Sequence, residues 1–163
     1  MTIHNITFDC RDPAALGRFW AEALGLVEDP DNQVAEGDDE FALLGPDGHR
    51  PGLLFIAVPE PKTVKNRAHL DLWPGDGREL AVGRLVALGG RVIDDRHNPD
   101  GSGWVVLADP EGNELCVKRA PAERGEPLPV GTGERKMPTS GWPASVRSSR
   151  PRSIGTGKAS SKR

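Results

Sequence analysis

The sequence has little of what would take it out of the ordinary globular class. It contains two cysteines, Cys10 and Cys116, no tyrosine, and an aromatic share of 5%. Two thiols are too few for a disulfide scaffold and fit a reduced, cytoplasmic protein. The N-terminus Met-Thr-Ile-His-Asn lacks the charged-then-apolar order of a secretion signal. No apolar run approaches the ~20 residues that span a bilayer, so no membrane partner is expected.

What is there is divided by charge. Residues 1–120 carry 12 basic and 21 acidic side chains, whereas residues 121–163 carry 9 basic and 3 acidic ones. The second segment is rich in Pro, Gly, Ser, Arg and Lys. It has too few large apolar residues to offset the entropy of ordering, so it reads as a disordered basic tail. Such a tail can associate with nucleic acid, but Trp142 is its only aromatic residue. Nucleic acid is therefore not the partner expected first.

The first 120 residues alternate between the periods of strand and helix. Ile6, Phe8 and Cys10 share one face of a strand over 3–10, with Asn5, Thr7 and Asp9 on the other. Asp12-Pro13 opens a helix that Gly25 closes. Leu16, Phe19, Trp20, Ala23 and Leu24 form its apolar stripe. Strands follow at 26–28 or 33–35, at 40–44 and at 53–58. After a Pro-containing linker come a strand at 67–73, a helix over 76–88 with Leu80, Ala81, Leu85 and Leu88 inward, and strands at 92–94, 104–108 and 114–118.

The halves are in register at one offset. Adding 64 carries Asn5 to His69, Asp12 to Asp76, Leu24-Gly25 to Leu88-Gly89 and the turn at Gly45 to the turn at Asp109. One offset holding across strand, cap, helix end and turn implies a tandem repeat. The expected fold class is α+β: two tandem strand-helix-three-strand modules, one over 1–60 and the other over 64–120, in a single domain of residues 1–120.

Three stretches carry a resemblance: Asp12 to Gly25, Val58 to Leu72, and Ala108-Asp-Pro-Glu-Gly-Asn-Glu-Leu-Cys-Val117. Over residues 2–119 the chain resembles the vicinal oxygen chelate superfamily, and within it the bacterial glyoxalase-like (glyoxalase/bleomycin resistance) branch. The resemblance implies two βαβββ modules with curled mixed sheets around a cleft, closed within one chain or across a homodimer. The superfamily includes metal-dependent lyases, isomerases, dioxygenases and thiol transferases, and also metal-free proteins that sequester drugs. Its metal positions fall on Asn5, His69 and Cys116, with no donor in the strand at 53–58. Only His69 keeps the usual ligand type, so no metal cofactor is expected. A shifted set using His69, Asp71 and Glu114 is the alternative.

The candidate catalytic residues are therefore His69, Asp71 and Asp9. An imidazole near two carboxylates is a basis for acid–base work without a metal. Asn5, Thr7, Trp73, Trp104, Glu114 and Cys116 are candidate ligand contacts, the two tryptophans as stacking surfaces. The expected function is small-molecule binding or metal-independent catalysis in the cleft. The alternatives are a divalent-metal lyase or dioxygenase, and a dimeric body with a nucleic-acid-associating tail.

Overall fold

The alternation near the N-terminus becomes β1 (Asn5–Cys10), whose apolar face packs inward. Helix α1 (Pro13–Leu24) begins where the Asp12 carboxylate accepts the Ala15 N–H at 2.8 Å, a cap contributing about 1 kcal/mol. It ends at Gly25, whose left-handed backbone (φ 66°) lets its N–H reach the Ala21 carbonyl. Leu16, Phe19, Trp20 and Ala23 are buried on its inner side. There α1 meets β3 (Glu40–Leu44) and β4 (Gly52–Ala57). A Cβ at Gly17 would stand 2.3 Å from the Phe41 ring, so glycine permits this close approach. With the short β2 (Val27–Glu28), the first sheet has the order β1-β4-β3-β2, β1 running parallel to β4. The computed structural model describes residues 1–32, 37–75, 77–120 and 122–125.

The second module repeats this plan with β5 (Leu70–Leu72), α2 (Arg78–Ala87), β6 (Arg91–Asp95), β7 (Trp104–Ala108) and β8 (Glu114–Lys118). Its sheet order β5-β8-β7-β6, with β5 parallel to β8, matches the first. The expected pair of βαβββ modules is thus the observed architecture. The offset of 64 holds from β3 to β7 and falls to 62 from β4 to β8, because the turn at 109–113 is two residues shorter than the connection at 45–51.

Several details differ from the sequence expectation. β5 pairs only over Leu70–Leu72 rather than 67–73. Pro74 follows Trp73 and has no N–H for a ladder, so the strand parity stops before Trp73. Helix α2 starts at Arg78, and Leu80 is 69% exposed rather than inward. Five residues from Leu85, at about 100° per residue, Leu80 is turned some 140° from the buried side. Ala81, Val82, Leu85 and Leu88 make the actual inner stripe. Asp76, the alternative strand at 33–35 and the tail beyond 125 lie outside the described residues. Ala122–Arg124, expected in the disordered tail, forms a 3-10 turn. Its Glu123 accepts the N–H groups of Ala120 (2.6 Å) and Arg78 (3.4 Å), serving the start of α2 where Gly77 has no side chain to do so.

One core joins the modules through their helix-bearing faces. Leu16, Trp20 and Phe55 from module one share it with Leu107, Leu115 and Val117 from module two. Full burial of each aliphatic or phenyl side chain contributes about 1.5–3 kcal/mol. Polar ties at the β7–β8 turn add register. Asp109, 3% exposed, accepts the Trp20 indole N–H at 3.2 Å, and one Glu111 oxygen accepts the Arg11 and Asp12 N–H groups at 3.0 Å each. Burial pushes the Asp109 carboxyl above its ordinary value despite the hydrogen bonds from Asn113, Trp20 and Glu111 that oppose the shift.

Candidate functional site

With both helix-bearing faces committed to the core, chemistry is left to the opposite faces of the two sheets. On module two that face bounds a cavity of about 440 Å³. The ladder explains which side chains meet there. Asp71 pairs with Cys116, and Cys116 with Val106 on the other side. Two residues along the strands, Lys118 pairs with Trp104. Since side chains two apart share a face, this lattice places Asp71, Cys116, Lys118 and Trp104 in one wall. His69 and Glu114 extend it by one more row.

Asp71 is the hub. Its Oδ2 accepts from Lys118 Nζ at 2.9 Å, and its Oδ1 lies 4.0 Å from His69 Nε2. The Cys116 thiol lies within 4.8 Å of this carboxyl. The hydrogen bond from Lys118 holds the Asp71 carboxyl below its ordinary value, with the lysine and His69 charges acting the same way. Burial pushes the Cys116 thiol up, and the Asp71 charge adds to the rise. Cys116 is consequently a protonated, weakly nucleophilic thiol at neutral pH. Lys118 also stands over the Trp104 ring, 4.8 Å from its centroid, a cation–π contact between ladder partners.

His69, Asp71 and Cys116 each offer a donor atom within 4.8 Å of the others. Glu114 belongs to the wall but not to this group. Its Oε1 takes Lys62 Nζ at 3.4 Å and its Oε2 takes the Asn66 N–H at 2.9 Å. Burial works against its ionisation, yet these bonds hold its carboxyl below the ordinary value. Glu114 thereby fastens the linker ahead of β5 to the start of β8.

The other sequence candidates lie elsewhere. Among the described residues no module-one side chain lines the cavity. Thr7 and Asp9 are exposed on their own sheet, and Asn5 Oδ1 is held by Arg50 at 2.7 Å. Arg50 in turn pairs with Asp29 at 3.3 Å. Trp73, 54% exposed, borders a smaller hollow of about 60 Å³ beside α2, with the Arg124 guanidinium 5.9 Å from its ring. Lys118, Lys65 and Arg96, which do line the cavity, were not among the sequence candidates. Lys118 had a readable signal: it is two residues beyond Cys116 and therefore on the same face.

Comparisons with known proteins agree with this architecture. A glyoxalase-like domain family profile matches residues 5–118. No curated protein sequence matches the chain. Among solved structures, a glyoxalase/bleomycin resistance protein/dioxygenase family enzyme from Burkholderia phytofirmans superposes with a TM-score of 0.57 at 17% identity, over 72% of this chain and 97% of that one. The fosfomycin resistance protein FosX from Mesorhizobium loti gives 0.54 at 16% identity, over 72% and 90%. FosX from Listeria monocytogenes, solved with Mn(II) and a dihydroxypropylphosphonic acid, gives 0.53 at 14% identity, over 74% and 90%. At such identities the structural likeness speaks for the fold, and the profile match spans most of the chain: the protein belongs to the glyoxalase-like domain family.

Proposed function

We propose that the protein binds a small organic molecule in the cavity on the open face of module two, and that it does so without a resident metal. The observation carrying this reading is the Asp71 carboxylate. The carboxylate a divalent ion would need is already hydrogen-bonded to an ammonium at 2.9 Å. The donor set fits a metal poorly in another way. The neighbouring Glu114 is engaged by Lys62 and Asn66 and so is not free to complete a ligand set. Trp104 offers an aromatic surface, and the His69–Asp71 pair supplies groups able to hold or move a proton at a bound ligand.

The metal-dependent alternative, a lyase or dioxygenase, rests on the grouping of His69, Asp71 and Cys116. A thermal-shift screen separates the two. Small carbonyl, thiol and aromatic compounds would be tested with and without Zn, Mn, Ni and Fe. Stabilisation by a compound alone, lost in His69→Ala, is the expected result. Stabilisation that requires a metal would sink the metal-free reading.

We also propose a homodimer. Among the described residues the cavity is lined by module two alone, while module one leaves Thr7 and Asp9 exposed on its own sheet. Light scattering should give twice the chain mass, and a monomer at tens of micromolar would refute it. Among the described residues no helix is long and apolar enough to cross a membrane. Two free, buried thiols suit a reducing cytoplasm.

A further inference from the structure

The metal-free reading leaves a question that the cavity itself answers: what supplies positive charge where His69, Asp71 and Cys116 converge. We propose that Lys118 is a resident cation, its ammonium standing in the cluster in place of a metal ion and keeping divalent metals out. The inference rests on the proposed metal-free function and deepens it.

Two contacts fix the ammonium. It lies 2.9 Å from Asp71 Oδ2 and 4.8 Å from the centroid of the Trp104 ring. Trp104 is its direct partner across the β7–β8 ladder. Two residues back along the same face of β8, Cys116 pairs with Asp71 across the β5–β8 ladder. The aromatic face and the carboxylate therefore hold the lysine head from two sides, while its stem rises from a regular strand position. The side chain is 32% accessible, so the charge is presented to the cavity rather than sealed away.

A divalent ion among His69, Asp71 and Cys116 would meet this ammonium at close range and would have to displace it from Asp71. Both the repulsion and the lost ion pair oppose metal loading. The remaining cations of the lining do not share the role. Arg96 is turned to Asp94 at 2.6 Å, and Lys65, close enough to act on the Cys116 thiol, comes from the linker ahead of β5, whereas Lys118 is the one hydrogen-bonded to Asp71. Lys118 is thus the cation placed at the hub, and the positive group a ligand meets there is an ammonium.

Cobalt(II) titration of the full-length protein tests this directly, because a thiolate bound to cobalt gives an intense near-ultraviolet absorption. Wild type should show no such band, and neither should Lys118→Arg, which keeps the charge. Lys118→Met and Lys118→Gln should both acquire it, with cobalt affinity raised about tenfold or more, the scale on which groups around a site tune metal binding. Cys116→Ser in either background should abolish the gain. If wild type loads cobalt as readily as the variants, Lys118 excludes nothing and the metal-free function falls with it. If no folded variant acquires the band, the assignment of Lys118 is wrong while the metal-free function stands.

Discussion

The two modules share one topology and carry different chemistry on their open faces. On module one, the first-strand position Asn5 is fastened to Arg50, and the facing strand β4 offers Gly52, Leu54 and Ile56. On module two the equivalent positions hold His69, Asp71, Glu114 and Cys116, with Lys118 at the end of the row. The scaffold dictates which side chains are neighbours, and a few substitutions on one copy turn a lattice of neighbours into a charged cluster. Duplication supplies the geometry and divergence supplies the reactivity.

The comparison can be broken most forcefully at the joint between the modules. Asp109→Ala removes the acceptor for Trp20, Glu111 and Asn113 within the buried turn, and should cost about 3 kcal/mol in urea unfolding. Arg50→Ala, which severs the partly exposed tie on module one, should cost under ~1 kcal/mol. Equal losses would mean that the buried turn is no more important than a surface pair.

Making module two resemble module one is the next step. His69→Asn gives it the residue that occupies the equivalent position in module one. Stability should stay within ~0.5 kcal/mol, since His69 is exposed, and the compound-induced thermal shift should vanish. Retention of that shift would move the site away from His69.

The two thiols compare the core with the cavity wall. Burial pushes Cys10 up to about 12, and Cys116 is raised by burial and by Asp71. Both should be nearly silent toward a disulfide reagent at pH 8 in the native protein and react fully after unfolding. Rapid labelling of Cys116 in the folded state would show that its thiolate is stabilised, contrary to this account.

The smallest effect is a pH dependence with two signs. Asp71 has a lowered folded value because of Lys118, so its contribution is present above the ordinary carboxylate value and is lost as pH falls through the folded one. Asp109 is raised by burial, so its contribution is full below the unfolded value and is lost as pH rises through the folded one. Comparing acid-range unfolding of Asp71→Asn and Asp109→Asn with wild type should change the slope in opposite directions. The change from Asp71 should be the lesser, because that group is largely solvated.

Periodicity made most of the fold readable. The strands at 40–44, 104–108 and 114–118 end where the alternation does, and Asp12 and Gly25 bracket α1 as their backbone preferences require. What escaped depends on events away from each residue. Leu80 reads as apolar and inward until the start of α2 sets the phase. Glu111 and Asp109 read as turn residues, although the first half has Gly45 where the second has Asp109, an asymmetry that pointed to an added role. For the candidate site, strand parity brought out His69 and Asp71, the family resemblance pointed to Cys116, and Trp104 was read as an aromatic near a strand end. Parity could not place Asn5, Thr7 and Asp9 relative to them, because it fixes a face within a sheet and not how two sheets are set. Lys118 was legible by the same parity, two residues beyond Cys116, but a lysine at a strand end reads as solvated surface until the Asp71 and Trp104 contacts are seen.

The central claim, that the open face of module two is the binding face, is tested most directly by mapping a stabilising compound onto the amide spectrum of isotope-labelled protein. The largest shifts are expected at His69, Asp71, Trp104, Cys116 and Lys118. Shifts centred on Arg50 and Asp29, or on the hollow beside Trp73, would contradict it.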